Sequence, residues 1–584
     1  MNSVSLHSGS PAFTGPSDDL DAARQRELND ALAALSVGKR TWVATSVSEQ
    51  LTLIDEIIGR VALAAEEWTE LSAAGKRGAD QPEVRASERF MGPLLTIRYL
   101  QLLRRALRDI EISGRPRLRG LPRVGRSGRT TVPVFPAMSL DPVLIGPGTA
   151  EVWLRAGVTP HDLPALHEQA CRPTDPLGHL KLILGAGNLG CIAVADALEA
   201  IFGRGEAALV KLNPVNEYLL PVFGQIFTPL RQRGVLRFVT GGAVVGEYLC
   251  AHPEVQSVHV TGSDKTFDAV VFGPGVQGAE RKARRDIRLK KPITAELGGV
   301  SPTIVVPGPW SARDLSYAAH SVAFGLTNNA GFNCATTRLL VQHASWPQRG
   351  AFLTALQHVL GRIRTQAAHY PGAEDRWQRL VAQHPQARQI GTPDQGHLPW
   401  TLALDVDPEG DDPSFSAEAF CSFAAETALQ APDPAGFLDR AVEFVNERVF
   451  GSLNATLLVH PASLRDEGTR AAVERAVATL RYGTVGVNAW SGFGFLMCTT
   501  PWGAYPGNDP FEVGSGIGMS RNTLRLPEVE KTVLRAPFRT VPPPACFPLF
   551  GRPDETTRLL LPLMLNPSPK TFLPMALPVL RGWL

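Results

Sequence analysis

Between His179 and Gly262 the chain alternates short apolar runs with stretches of helical periodicity. HLKLILG, AALVKLN, VLRFVTG and VQSVHVTG read as strands, and CIAVADALEAIF, EYLLPVFGQIFTPL and AVVGEYLCA as the helices between them. Strands spaced by single helices of this length can pair only through crossovers. The pattern therefore constrains the fold to βαβ units and a parallel, doubly wound α/β sheet. A second alternating region follows, with SPTIVVPG, SYAAHSVAFGL, TRLLVQH, RGAFLTALQHVLGRI and ATLLVHP.

Around this frame the texture differs. Residues 1–20, rich in Ser, Gly and Pro, are expected to form a flexible tail, and helical spacing runs from Asp21 to Ala74. Arg98–Ile110 suits another helix. Gly- and Pro-punctuated apolar segments from Arg115 to Thr159 suit strands joined by turns. With 44% hydrophobic and 20% charged residues the chain is not core-poor, which excludes a disordered protein. Lys+Arg 58 against Asp+Glu 56 leaves +2, so no nucleic acid is expected as a partner. Seven cysteines without a Cys-x-x-Cys pair, an N-terminus without a signal core, and the lack of a long apolar span predict a reduced, soluble, cytoplasmic protein.

Three segments offer chemistry. Gly185-Ala-Gly187-Asn188-Leu-Gly190 follows a strand pattern and opens a helical one, as in a dinucleotide-binding turn. The acid expected at the end of the next strand is missing, and Lys211 stands there instead. Glu296 precedes Gly298-Gly299, where little bulk would surround a carboxylate able to take a proton or activate water. Cys334 lies between a polar Asn/Gly-rich turn and a new strand, a place for an exposed nucleophile. Each has a plainer reading taken alone: a tight turn, a solvated loop glutamate and a buried cysteine.

Taken in order, these pieces resemble the aldehyde dehydrogenase superfamily. The marks are Gly187-Asn188, Val210-Lys211, Val260-Thr-Gly262-Ser263, Glu296-Leu-Gly298-Gly299, Gly331-Phe-Asn-Cys334, Glu418-Ala-Phe-Cys421 and Gly483-Thr-Val-Gly-Val-Asn488. The resemblance implies two Rossmann-like doubly wound domains and a small β oligomerisation element. It places the cofactor domain at 21–297 with a β excursion near 125–178, the catalytic domain at 298–515, and a return segment and apolar arm at 516–584. It assigns Cys334 to the thiol that attacks the aldehyde, Asn188 to the oxyanion, and Glu296 to activation of the hydrolytic water. Lys211 and Glu418 fall on the two riboses of NAD or NADP, Gly262 and Ser263 beneath the pyrophosphate, and Gly298 beside the cofactor. The implied reaction is oxidation of a small-molecule aldehyde to the carboxylic acid through a thiohemiacetal and a thioester, by a homodimer or homotetramer.

The chain also departs from the family pattern. Phe332 stands where glutamine is common, beside the thiol, and is expected to crowd bulky aldehydes. Gly185-Ala186 replaces Pro-Trp, and Pro214 takes the place of an acid that would repel a 2′-phosphate, so NAD and NADP both stay open. Relatives that transfer the acyl group to coenzyme A commonly lack the glutamate, so Glu296 favours hydrolysis. A CoA-acylating enzyme and a silent nucleotide-binding or membrane-associated relative are the alternatives. RKARRDIRLKK, with seven basic residues and one acid, reads as a solvated face, and the thirteen histidines form no metal spacing. The apolar segment broken at Asn566–Lys570 reads as an arm packed on its own domain or a partner subunit, in preference to a membrane-surface anchor. Cysteines 171, 191, 250, 421, 498 and 546 read as core or incidental.

Overall fold

The computed structural model describes residues 20–172, 175–391, 396–540, 544, 549 and 552–581. The expected tail and Cys546 lie outside the described residues. Two sheets organise the chain, and the predicted α/β fold is observed. The first has six strands, in the spatial order 516–517, 293–297, 257–262, 180–184, 207–211, 236–239. All are parallel except Gly516–Ile517, which returns antiparallel against Ile293–Leu297. Ala207–Lys211 is buried at every position, as a strand covered by helices on both faces must be.

The second sheet has eleven strands. Its parallel centre runs 529–535, 484–487, 454–458, 301–305, 337–343, 423–429, 400–406. Arg388–Ile390 closes one edge antiparallel. At the other edge Thr149–Leu154 and Thr130–Phe135 extend this sheet antiparallel from Val529–Arg535. The N-terminal helices Ala22–Val43, Val47–Leu63 and Ala65–Gly75 match the predicted helical region. Ser46 and Glu49 form a capping box that starts the second of them.

Register brings the strand ends together. Leu184 lies opposite Lys211, Thr261 opposite Glu296 and Gly262 opposite Leu297. These positions form the carboxyl edge of the six-stranded sheet, where open parallel sheets offer a crevice. Cys334 and Glu418 precede the strands Thr337–His343 and Phe423–Leu429, and so reach the same crevice from the amino edge of the larger sheet.

The C-terminal segment forms helices Pro553–Leu565 and Pro569–Arg581, broken at Asn566. It packs on its own chain. Asp554 pairs with the buried Arg89 at 2.6 Å, Arg89 also holds Glu66 at 2.9 Å, and Gln101 donates to the Met564 carbonyl. The basic run near 281–291 ends the helix Gly275–Ala283 and is largely engaged: Lys282 pairs with Asp268, Arg284 with Glu280 and Arg288 with Glu247. Among the described residues no helix is long and apolar enough to cross a membrane.

Candidate active site

A cavity of about 590 Å³ opens at the carboxyl edge of the six-stranded sheet. Asn188, Lys211, Gly262, Ser263, Glu296, Gly298, Cys334 and Glu418 all line it. Residues from six of the seven motifs thus meet at one crevice. Its glycines answer to packing. A Cβ on Gly298 would lie 2.0 Å from Glu418 Oε2, and one on Gly187 would lie 2.8 Å from the Asn213 side chain. Gly246 lets the Lys211 side chain pass along the neighbouring helix. Ser263 caps helix Asp264–Phe272 by accepting from the Thr266 amide, so that helix's N-terminal amides face the cavity.

The cysteine loop is tied down by its backbone. Asn329, held in the left-handed region at φ 52°, donates from Nδ2 to the carbonyls of Asn188 at 3.1 Å and Phe332 at 3.0 Å. Its Oδ1 accepts from Lys76 at 2.8 Å, and Lys76 is itself paired with Glu88 in the interior. On the other side the Cys334 carbonyl accepts from Ser301 Oγ at 3.1 Å. Asn188 Nδ2 donates to the Phe332 carbonyl at 2.9 Å, which leaves its second N–H for another acceptor. Phe332 itself corrects the expectation of crowding. Its buried ring packs against His369, Tyr370 and Phe420, and it is not among the described residues of either cavity wall at Cys334.

Glu296 is held by partners that sequence reading missed. Its carboxylate accepts from Trp502 Nε1 at 2.7 Å and from Ser520 Oγ at 3.3 Å, and forms a buried ion pair with Arg521. Arg521 also bonds Asp196 at 3.2 Å, and Asp196 approaches His259. One cation thus faces two buried carboxylates behind the crevice. A signal was present: Asp196 interrupts an apolar helix, and a buried acid demands a counter-charge.

The electrostatics follow from burial. Cys334 is half-buried and opens to both cavities, and burial pushes its thiol well above the ordinary value, with Glu296 and Glu418 adding to the rise. Burial also raises Glu296, against the opposing pull of Arg521. Glu418 is raised by burial to about 7, and its Oε1 has no hydrogen-bond partner among the described residues. A buried, unsatisfied carboxylate oxygen on a cavity wall suits a hydroxyl-bearing ligand.

A second cavity, of about 840 Å³, lies on the other side of Cys334. Its walls include Phe90, Met91, Ile145, Ile192, Phe324, Phe493 and Leu496, and Leu560 and Met575 of the C-terminal helices. Asn188, Ile192 and Cys334 line both cavities.

Residues 188–372 match the model of the aldehyde dehydrogenase family. Over that third of its length the chain is similar to the aldehyde dehydrogenase family. A Staphylococcus haemolyticus protein named provisionally as an aldehyde dehydrogenase is 29% identical over 170 residues, 29% of this chain and 32% of that one. The match to such curated relatives thus spans about a third of their length. Among solved structures, aldehyde dehydrogenase C of Pseudomonas syringae, a cysteine-to-alanine mutant with NAD+ and octanal, shares 17% identity at a TM-score of 0.59. That match covers 87% of this chain and 88% of the other. The NADP complex of glyceraldehyde-3-phosphate dehydrogenase from Methanocaldococcus jannaschii shares 14% at 0.60, covering 90% and 95%. These structures place the aldehyde dehydrogenase fold on nearly the whole chain. The family match, 188–372, takes in Asn188, Glu296 and Cys334 but ends before Glu418.

Proposed function

We propose that the protein oxidises an aldehyde to the carboxylic acid, with NAD or NADP as hydride acceptor. The observation that carries this reading is that Cys334 and Asn188 stand on the wall common to two cavities of unlike character. An aldehyde in the apolar cavity can present its carbonyl carbon to the Cys334 sulfur. The thiol first gives its proton to water; attack by the thiolate forms the C–S bond while the C=O π pair moves to oxygen, and the free N–H of Asn188 supports the oxyanion, which a fixed donor stabilises by roughly 2.7–4 kcal/mol. Loss of hydride from the adduct leaves a thioester. Glu296 takes a proton from water, and hydrolysis returns the thiol and releases the acid.

The smaller cavity suits a dinucleotide. Glu418 Oε1 is free to accept from a ribose hydroxyl, Lys211 lines the wall, and the helix start at Gly262-Ser263 favours a pyrophosphate. Bound there, the nicotinamide supplies the hydride acceptor. Pro214 lines the cavity in place of an acid, and Lys265, Lys290 and Lys291 line it too, so NADP is expected to serve alongside NAD. We propose a homodimer or homotetramer as well. The terminal strand Arg123–Val124 of the larger sheet leaves Leu121 and Val124 exposed, and light scattering would read the mass.

The deciding experiment is an aldehyde panel with each cofactor, followed by reduced-nicotinamide absorbance, with products analysed in the presence and absence of coenzyme A. Free acid is expected in both. Exclusive acyl-CoA would establish the acylating alternative, and no reduced cofactor with any aldehyde would leave a silent nucleotide-binding protein.

A further inference from the structure

The C-terminal helices complete the larger cavity. Thr556 and Leu560 from Pro553–Leu565, and Phe572 and Met575 from the following helix, stand on its wall. Leu560 and Met575 are 6% and 3% exposed, so these side chains face inward. The arm is fixed by an ion pair inside the protein: Asp554 meets Arg89, which is 2% exposed and also bonds the Thr557 hydroxyl. A segment anchored this firmly, with its apolar face turned to the cavity, is part of the binding wall.

The chemistry of that wall is graded. Near Cys334 the wall is polar, with Asn188, Thr327, Asn328, Asn329 and Asn333. The charged side chains Glu83, Arg362 and Arg364 are exposed and stand at its rim. Between rim and thiol the lining is mainly aromatic and aliphatic, with Ser87, Gln366, Thr556 and Thr557 set among it. At about 840 Å³ the space is at the upper end of ligand pockets and far exceeds what a two- or three-carbon aldehyde fills.

Resting on the proposed aldehyde oxidation, we propose that the substrate is a long, unbranched, apolar aldehyde whose hydrocarbon tail lies against the C-terminal helices, which therefore set chain-length preference. The carbonyl end sits at Cys334 and Asn188, and the tail runs along Ile192, Phe324 and Phe493 to Leu560 and Met575. Each methylene leaving water adds binding free energy, and a mainly apolar wall returns less to a hydroxylated or charged tail.

The test uses the full-length enzyme and the n-alkanals from propanal to dodecanal. kcat/KM is expected to climb by about threefold for each added methylene until the cavity is filled. Leu560→Trp should lower the decanal-to-propanal ratio by about tenfold or more. Asp554→Asn, which loosens the arm from outside the cavity, should lower the same ratio while leaving propanal turnover unchanged. A flat or falling length profile, or variants that change all lengths equally, would overturn the proposal. Binding is read independently of turnover by the n-alkanols from butanol to dodecanol, through quenching of Trp490 and Trp502 on the cavity wall. Affinity rising with length supports the apolar chamber even if no aldehyde is oxidised, in which case the reaction reading alone fails. Affinity that ignores length sinks the chamber even if short aldehydes turn over.

Discussion

Where the larger cavity is walled by aromatic and aliphatic side chains from many segments, the smaller is walled by glycines, lysines and carboxylates at the ends of successive strands. Among the described residues, Asn188, Ile192 and Cys334 belong to both. The smaller cavity is a consequence of topology: parallel strands end together, and short loops leave backbone exposed there. The larger one is a consequence of packing between distant segments, and its far wall comes from an arm added after the last strand. On the proposed reading, a site split in this way gives the tail of the aldehyde and the dinucleotide separate walls.

The comparison breaks at the shared wall. Cys334→Ala should reduce turnover by at least about 1,000-fold, because no other described cysteine lines both cavities. Dinucleotide and alkanol binding, measured by fluorescence titration, should both persist. Loss of either would mean that the two chambers are not separable.

Next in size is the ion pair behind the crevice. Arg521→Met removes the cation from Glu296 and Asp196 and leaves buried acids uncompensated, which should lower unfolding free energy by about 3–5 kcal/mol in urea titrations. The carboxyl of Glu296, already raised by burial, should then rise further, so the acid limb of the deacylation pH profile moves upward. A profile that stays put while stability falls would make Arg521 structural only, without a hold on the reacting carboxylate.

How far these features were legible follows from how they are built. Lys211, Gly262 and Glu296 stand at strand ends that the apolar runs already marked, and Gly298 is a glycine because Glu418 occupies its Cβ position. Arg521, Trp502 and Asn329 were invisible because each acts across a gap in sequence that only the fold closes: Trp502 and Glu296 are 206 residues apart. Phe332 was misread for the same reason. Its neighbour in sequence is the thiol loop, but its neighbours in space are His369, Tyr370 and Phe420. The C-terminal arm was legible as something packed, because apolar residues broken by Asn and Pro must be covered. The surface it covers was not.

A smaller effect sharpens the difference between the chambers from the cofactor side. In Gly298→Ala the new methyl would collide with the Glu418 carboxylate, which cannot retreat without displacing the wall. KM for the dinucleotide should rise by about tenfold. The alkanol affinity series should not move, because Gly298 is not among the described residues of the larger cavity. Equal damage to both would show that the chambers are coupled through the loop.

The finest test is the thiol itself. Only the thiolate alkylates, so reaction of the free enzyme with iodoacetamide should rise with pH and reach its midpoint above about 8.5, the value for an unperturbed cysteine. Burial is the main cause of that displacement, and the carboxylates of Glu296 and Glu418 are the secondary ones. Glu418 titrates near 7 and is ionised throughout the range in which the thiol loses its proton. Glu418→Gln therefore deletes one negative charge at the relevant pH and should shift the midpoint down, while burial keeps it above the unperturbed value. Cys334→Ala supplies the background from the other thiols. A midpoint below the unperturbed value in the free enzyme would mean that the resting cysteine is already a thiolate, and that the cavity between sulfur and carboxylates holds a positive charge from a group not considered above.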